Sequence, residues 1–213
     1  QNTHLHIIEP YTNLYRVWKD ARLERALRNL ILIFTDKILN PNTFHLDLFF
    51  KNDWTRGGGQ LESYGHDIEC SWLMHETALV LGNEEILKKV EPIVQKVAKA
   101  SEEGLISDGS MIHEANMDTG HADTDRHWWV EAEAVVGYMN IYQHFGDADA
   151  LEKAFLCWEY IKEKIIDWQN GEWYTSRDKN ELLNPDDDKA GFWKCPYHNT
   201  RMCLEIMERD FNQ

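Results

Sequence analysis

The sequence predicts an all-α protein built as a ring of helix hairpins, an (α/α) toroid, with short β-hairpin-like loops between the hairpins. Three observations predict it. Apolar residues recur at helical spacing along most of the 213 residues, as in Leu23, Leu27, Leu30, Ile31 and Phe34, and again in Trp72, Leu73, Leu79 and Val80. Gly82-Asn83 and Gly146-Asp147 read as tight turns between antiparallel helix partners. Finally, a unit of loop, helix, turn and helix repeats weakly: His6, His66, Trp129 and His198 open successive units at separations of 60, 63 and 69 residues. Each is followed by a carboxylate, Glu9, Glu69, Glu133 and Glu205.

Taken in order, the periodicity places helices over residues 5–18, 21–39, 66–82, 84–103, 127–146, 148–166 and 197–209. Pro196 suits the first turn of the last of these. Long segments with turn or strand chemistry separate the hairpins: 43–52, 54–60 with Gly57-Gly58-Gly59, 104–124, and 171–192 with Asp186-Asp187-Asp188. Loops of this length in a compact fold carry function. Stacked hairpins cover one another's apolar faces, and a closed ring of them brings every loop-to-inner-helix junction to one end. The His, Trp and Glu residues of the repeat then surround one pocket.

Composition narrows the function. Twenty-two Lys and Arg against 37 Asp and Glu give a formal charge of -15, which repels phosphate backbones and anionic membrane faces, so neither nucleic acid nor membrane is expected as a partner. Nine Trp, eight Tyr, eight Phe and ten His supply flat aromatic faces with polar edges, suited to sugars. Cys70, Cys157, Cys195 and Cys203 lack CxxC spacing and read as reduced, buried thiols. Without a signal-type start or a run of about 18 apolar residues, the chain reads as cytoplasmic.

His66 and Glu69 open a helix, with Trp72 at the next i+3 position, which groups a base, a carboxylate able to orient it and an aromatic wall. The simpler reading is a helix-start His with Glu69 favouring the positive helix end. His198 in Trp193-Lys194-Cys195-Pro196-Tyr197-His198 has the same setting. Alone it reads as a packed ring. As a pair at equivalent repeat positions, His66 and His198 fit removal of a proton at one place and its delivery at another. Trp129 and Glu133, at i and i+4, form either a sugar platform with a hydroxyl-binding carboxylate or a core Trp with a solvated Glu. His4/His6, His66/Glu69 and His121/Asp123/Asp125 could each offer metal ligands, but none has HExxH or zinc-finger spacing, and no required metal is expected. There is no GxSxG, P-loop or GxGxxG.

The segments NTHLHIIEPYTNLYR (2–16), SYGHDIECSWL (63–73), RHWWVEAEAVVGYMNIYQ (126–143) and FWKCPYHNTRMCLEIMER (192–209) resemble the N-acylglucosamine 2-epimerase family, nearest to its cellobiose and mannobiose 2-epimerases. The resemblance implies an (α/α)₆ barrel, and reversible inversion at C2 of the reducing-end sugar of a β-1,4-linked disaccharide through a cis-enediolate, without a cofactor. It implies His66 and His198 as general base and acid, His6 and Asn2 polarising O1 and O2, and Glu69 supporting the base. Trp72, Trp129 and Trp193 fall on aromatic positions of the sugar site and Glu133 on a carboxylate near the substrate; the loop of Trp193 could stack on the far sugar. SYGHDIE and KCPYHN favour disaccharide substrates over N-acylglucosamine or a free aldose. All matches lie in the family's C-terminal half, so residues 1–213 are expected to be that part of the barrel. The N-terminal half, with its substrate-binding Arg, or a homodimer contact, is expected to complete it, and the chain alone to be inactive. An (α/α)₆ glycoside hydrolase using Glu69 and Glu133, or a non-catalytic sugar-binding partner, are the competing readings.

Overall fold

A computed structural model of the chain describes residues 1–209. Three hairpins succeed one another: α1 (Asn2–Val17) with α2 (Ala21–Ile33), α3 (Tyr64–Leu81) with α4 (Glu84–Ser101), and α5 (Trp128–Phe145) with α6 (Ala148–Tyr160), followed by α7 (Tyr197–Glu208). α3 packs on α1, α4 and α5, and α5 also packs on α6 and α7. The helices α1, α3, α5 and α7 therefore form an inner arc, with α2, α4 and α6 outside it. This is the expected (α/α) toroid in part, an arc that does not close on itself among the described residues.

The sequence dictates the layering. α3 and α5 are buried on almost every face, and they carry apolar or small residues nearly all round. α4 buries one stripe through Val90, Val94 and Val97, and α6 one through Ala150, Ala154 and Cys157, as outer helices should. Each fully buried Leu or Ile, such as Leu5, Ile8 and Ile68, contributes about 1.5–3 kcal/mol of burial. At Gly137 a methyl group would run into the side chain of Ile68, so glycine is what lets α3 and α5 approach.

The Gly-Asn and Gly-Asp pairs do two jobs each. Gly82 (φ 63°) and Gly146 (φ 71°) end α3 and α5 in the left-handed region. The next residue then caps the following helix: Asn83 Oδ1 accepts from the Ile86 amide at 3.0 Å, and Asp147 Oδ1 from those of Asp149 and Ala150.

Some boundaries differ from the expected ones. α1 starts at Asn2 rather than 5. The stretches 21–39 and 148–166 each finish in a wider π turn, Phe34–Ile38 and Ile161–Ile165, where the amides of Leu39 and Ile166 bond back to Phe34 and Ile161 at 2.9 Å. Residues Glu102–Gly104 form a 3₁₀ turn after α4.

Small antiparallel sheets organise the loops. β1 (Phe49–Phe50) pairs with β2 (Arg56–Gly57). β3 (Leu61–Ser63), β4 (Glu114–Asn116) and β5 (His121–Asp123) form one sheet, with Leu61 opposite Asn116 and Glu114 opposite Asp123. β6 (Arg126–His127) pairs with β7 (Ser176–Arg177). β3 runs directly into α3 and β6 into α5, so each inner helix is aimed by a strand tied to the loop of a neighbouring hairpin.

Cys70 and Cys157 are buried free thiols as expected, but Cys195 and Cys203 are exposed. Cys195 lies in the loop before α7, and Cys203 borders an apolar groove between α6 and α7 with Phe155 and Met207. Among the described residues no helix is long and apolar enough to cross a membrane.

Candidate active site

The inner helices begin around a cavity of about 460 Å³. Its walls include Asn2 and His6 from α1, His66 and Glu69 from α3, Trp128 and Trp129 from α5, and Trp193, Cys195, Tyr197 and His198 from the loop and first turn of α7. The junctions of all four repeat units thus meet in one place.

Trp129 stands between the two histidines that the repeat singled out. Its ring lies 4.7 Å from that of His66 and 5.7 Å from that of His198, tilted by 46° and 43°. Adjacent Trp128 is almost fully buried; it also reaches the wall, with its indole N–H unpartnered. His6 completes the ring cluster, 6.3 Å from His198 and 5.8 Å from Tyr197 between centroids.

Each imidazole of the pair is fixed through Nδ1 by a different group. His66 Nδ1 is 2.7 Å from Ser63 Oγ, one helical turn earlier. Burial, then the neighbouring imidazoles of His113, His6 and His198, push the His66 ring down to about 3, which keeps it neutral near pH 7. His198 Nδ1 is 2.7 Å from Glu133 Oε1.

Beneath the pocket floor one guanidinium gathers three carboxylates. Arg201 Nη2 donates to Glu69 Oε1 at 2.7 Å and to Glu133 Oε1 at 2.6 Å, while Nη1 pairs with Glu9 Oε2 at 2.7 Å. Tyr197 donates its hydroxyl to Glu9. The Arg201 guanidinium also lies over the Trp72 ring, 5.0 Å from its centroid. Although burial opposes its charge, Glu133, Glu69 and Glu9 hold Arg201 firmly protonated. Burial likewise opposes ionisation of Glu133, but Arg201 and His198 win and hold it below its ordinary range.

Three sequence expectations change here. Glu69 does not orient His66, because its Oε1 is bound to Arg201 and Ser63 takes that role. Its other oxygen is buried without a partner, in a residue that lines the cavity. Trp72 is not a wall: at 100° per residue, position i+6 lies about 120° round the helix from His66, and its buried indole N–H donates to Glu133 Oε2 at 2.9 Å. Glu133 in turn has both oxygens occupied by His198, Arg201 and Trp72, so it braces the site rather than facing a ligand. Trp193 sits on the rim, 84% exposed and edge-on to Phe192. Its neighbour Lys194 is buried, 3.2 Å from Glu172 and over the Trp128 ring at 5.1 Å.

The metal-type sets read from the sequence regroup: Glu69 clusters with Glu133 and His198 rather than His66, and Asp123 with His113 and His127 rather than His121. On a helix His4 and His6 diverge, His4 toward Trp54 and His6 toward Tyr197. His121 is exposed, while Asp123 instead meets His113 at 2.9 Å.

The sequence matches the N-acylglucosamine 2-epimerase family over residues 1–201. The chain belongs to that family. It is similar to the cellobiose 2-epimerase of Bacteroides fragilis, 60% identical over 206 residues, which cover 97% of this chain and 52% of that protein. The cellobiose 2-epimerase of Ruminococcus albus is 39% identical over 209 residues, covering 98% of this chain and 53% of that protein. The solved cellobiose 2-epimerase from Bacillus thermoamylovorans B4167 superposes with a TM-score of 0.92 at 41% identity, covering 99% of this chain and 53% of that one. The chain spans about half the length of the relatives it matches, and its arc of helices corresponds to that part of the family's barrel.

Ser63, Arg201, Tyr197 and Trp128 also line or brace this cavity and are not candidates on the sequence alone. A local signal existed for two of them. Ser63 stands three residues before His66, and Arg201 three residues after His198, each one turn from a histidine already under consideration.

Proposed function

We propose that the protein containing this chain is a carbohydrate 2-epimerase that inverts C2 of the reducing-end sugar of a β-1,4-linked disaccharide, cellobiose or mannobiose. One observation carries the reading: His66 and His198 face one cavity from either side of Trp129, each held at Nδ1 by a separate partner. Fixing Nδ1 leaves Nε2 of each ring for substrate.

Once the sugar ring is open, the proton on C2 is acidified by the neighbouring C1 aldehyde. With Nδ1–H donating to Ser63, neutral His66 takes that proton through Nε2, and the electron pair delocalises into a cis-enediolate. His6 and Asn2 donate to O1 and O2, where negative charge develops. His198 returns a proton to the opposite face of C2, and Glu133 compensates the charge His198 carries while protonated. In the reverse direction the two rings exchange roles. The sequence is redox-neutral and gains or loses no atoms overall. The unpartnered oxygen of Glu69 and the indole N–H of Trp128 offer an acceptor and a donor for sugar hydroxyls. Trp193, which lines the cavity from its rim, stacks on the second sugar in this reading.

The same geometry argues against a glycosidase. That chemistry needs two carboxyl groups flanking the scissile bond, whereas Glu69 and Glu133 share the Arg201 guanidinium. The test uses the full-length protein with cellobiose in deuterated water, following deuterium at C2 by NMR. His66→Ala and His198→Ala should each abolish exchange; exchange persisting in both variants would overturn the assignment.

A further inference from the structure

Away from the pocket, on the far side of the entry to α3, a second histidine is held in an unusual way. His45, in the loop between α2 and β1, is 3% exposed. Its Nδ1 lies 2.7 Å from Asp67 Oδ2, and the other Asp67 oxygen accepts the Leu46 amide at 2.8 Å. The ring is thereby locked with Nε2 directed at two more carboxylates, Glu62 Oε2 from β3 at 3.5 Å and Glu103 Oε2 from the 3₁₀ turn at 3.7 Å. Glu62 Oε2 is buried and has no hydrogen-bond partner.

These separations are long for hydrogen bonds, which centre near 2.9 Å. They fit a different arrangement: donors that share one metal ion at about 2.0–2.2 Å each stand about 3–3.5 Å apart. The three donor atoms already lie within 4.8 Å of one another, and Glu103, with its side chain 60% exposed, is free to close the remaining gap. Charge points the same way. Three carboxylates face a single imidazole, while Lys96 and Lys99, in the groove that Glu103 also lines, are held over the Phe44 ring and by Glu102 at 2.6 Å.

We propose that His45, Glu62 and Glu103 bind one first-row divalent cation of the zinc type, with Asp67 fixing the imidazole from behind and water completing the coordination. One nitrogen and two carboxylate oxygens suit such an ion, and a carboxylate behind the ligating histidine is the support these sites use. The ion is structural. It ties together the loop after α2, the strand that enters α3 and the turn that leaves α4, and Glu62 adjoins Ser63, the residue that holds His66.

The test is cobalt titration of the chelator-stripped full-length protein, read by the visible d–d absorption of bound Co²⁺ and by thermal melting. One equivalent should saturate the signal, Zn²⁺ should displace it, and the melting temperature should rise with metal. Glu103→Gln and Glu62→Gln, which keep shape and need no refolding of the core, each remove a charged ligand and should weaken Co²⁺ binding by more than the roughly 10- to 100-fold that loss of an outer-shell support costs. His113→Gln, beside Asp123 and His127, should leave binding unchanged. Absence of a saturable signal, a signal indifferent to both Glu variants, or one lost in His113→Gln would overturn the proposal.

Discussion

Glu133 Oε1 meets His198 Nδ1 at 2.7 Å, and the same oxygen accepts from Arg201 at 2.6 Å. One buried carboxylate thus orients an imidazole and answers a guanidinium. Glu133→Gln keeps the volume and can still accept from Trp72, but removes the charge. C2 exchange by the full-length protein is expected to fall about 10²- to 10⁴-fold, the range associated with loss of a positioned acid or base, with little change in KM. Deuterium incorporation at saturating cellobiose checks it.

Ser63 performs the lesser version of this task for His66. Ser63→Ala should lower kcat about 10- to 100-fold by releasing the ring, with Ser63→Thr recovering part of it through the retained hydroxyl. Comparing kcat and KM of both variants decides the point, since a substrate-binding Ser would move KM instead.

The pH response of His66 follows from a ring pushed down to about 3. Between about pH 6.5 and that value, the unfolded chain binds a proton there that the folded chain refuses, so stability contributed at neutral pH is lost as pH falls through this window. The loss is at most about 1.4 kcal/mol per pH unit. Urea unfolding of the wild type and His66→Asn at pH 7 and pH 5 should show the larger drop in the wild type.

Arg201 is the common partner of Glu9, Glu69 and Glu133. Arg201→Met leaves buried carboxylates uncompensated and should cost about 3–5 kcal/mol. Arg201→Lys restores the charge without the fork that reaches several carboxylates at once, and should recover only part of the loss. Thermal melting of the three proteins ranks them.

Trp193, mostly exposed on the rim, should behave oppositely. Trp193→Ala should alter stability by less than about 0.5 kcal/mol, yet raise KM for a disaccharide far more than for its reducing-end monosaccharide. Parallel kinetics on the two substrates separate stacking on the far sugar from a general defect.

The helices were legible because their apolar spacing is regular and their turns use Gly followed by a capping side chain. The π turns at Phe34–Ile38 and Ile161–Ile165 were not, since the apolar pattern runs through them unbroken. Convergence of His6, His66, Trp129 and His198 could be read from their recurrence alone, because a regularly curved arc of hairpins turns sequence period into spatial proximity. What recurrence could not supply is the pairing between units. Glu69, Glu133 and Glu9 come from three inner helices, and only packing reveals that they meet at Arg201, which in sequence looks like an ordinary mid-helix charge. Trp72 was misplaced for a simpler reason, an accumulated angle around the helix axis.

The short strands at the helix entries have a consequence in time. Each hairpin is sealed by contacts between helices that are neighbours in sequence and can form early, whereas Leu61 must find Asn116 and Arg126 must find Arg177. Pairings at such range pay their loop-closure entropy late. The bundle of helices is therefore free to assemble first, and His66, whose partner Ser63 lies on β3, is set in place only when that strand finds β4.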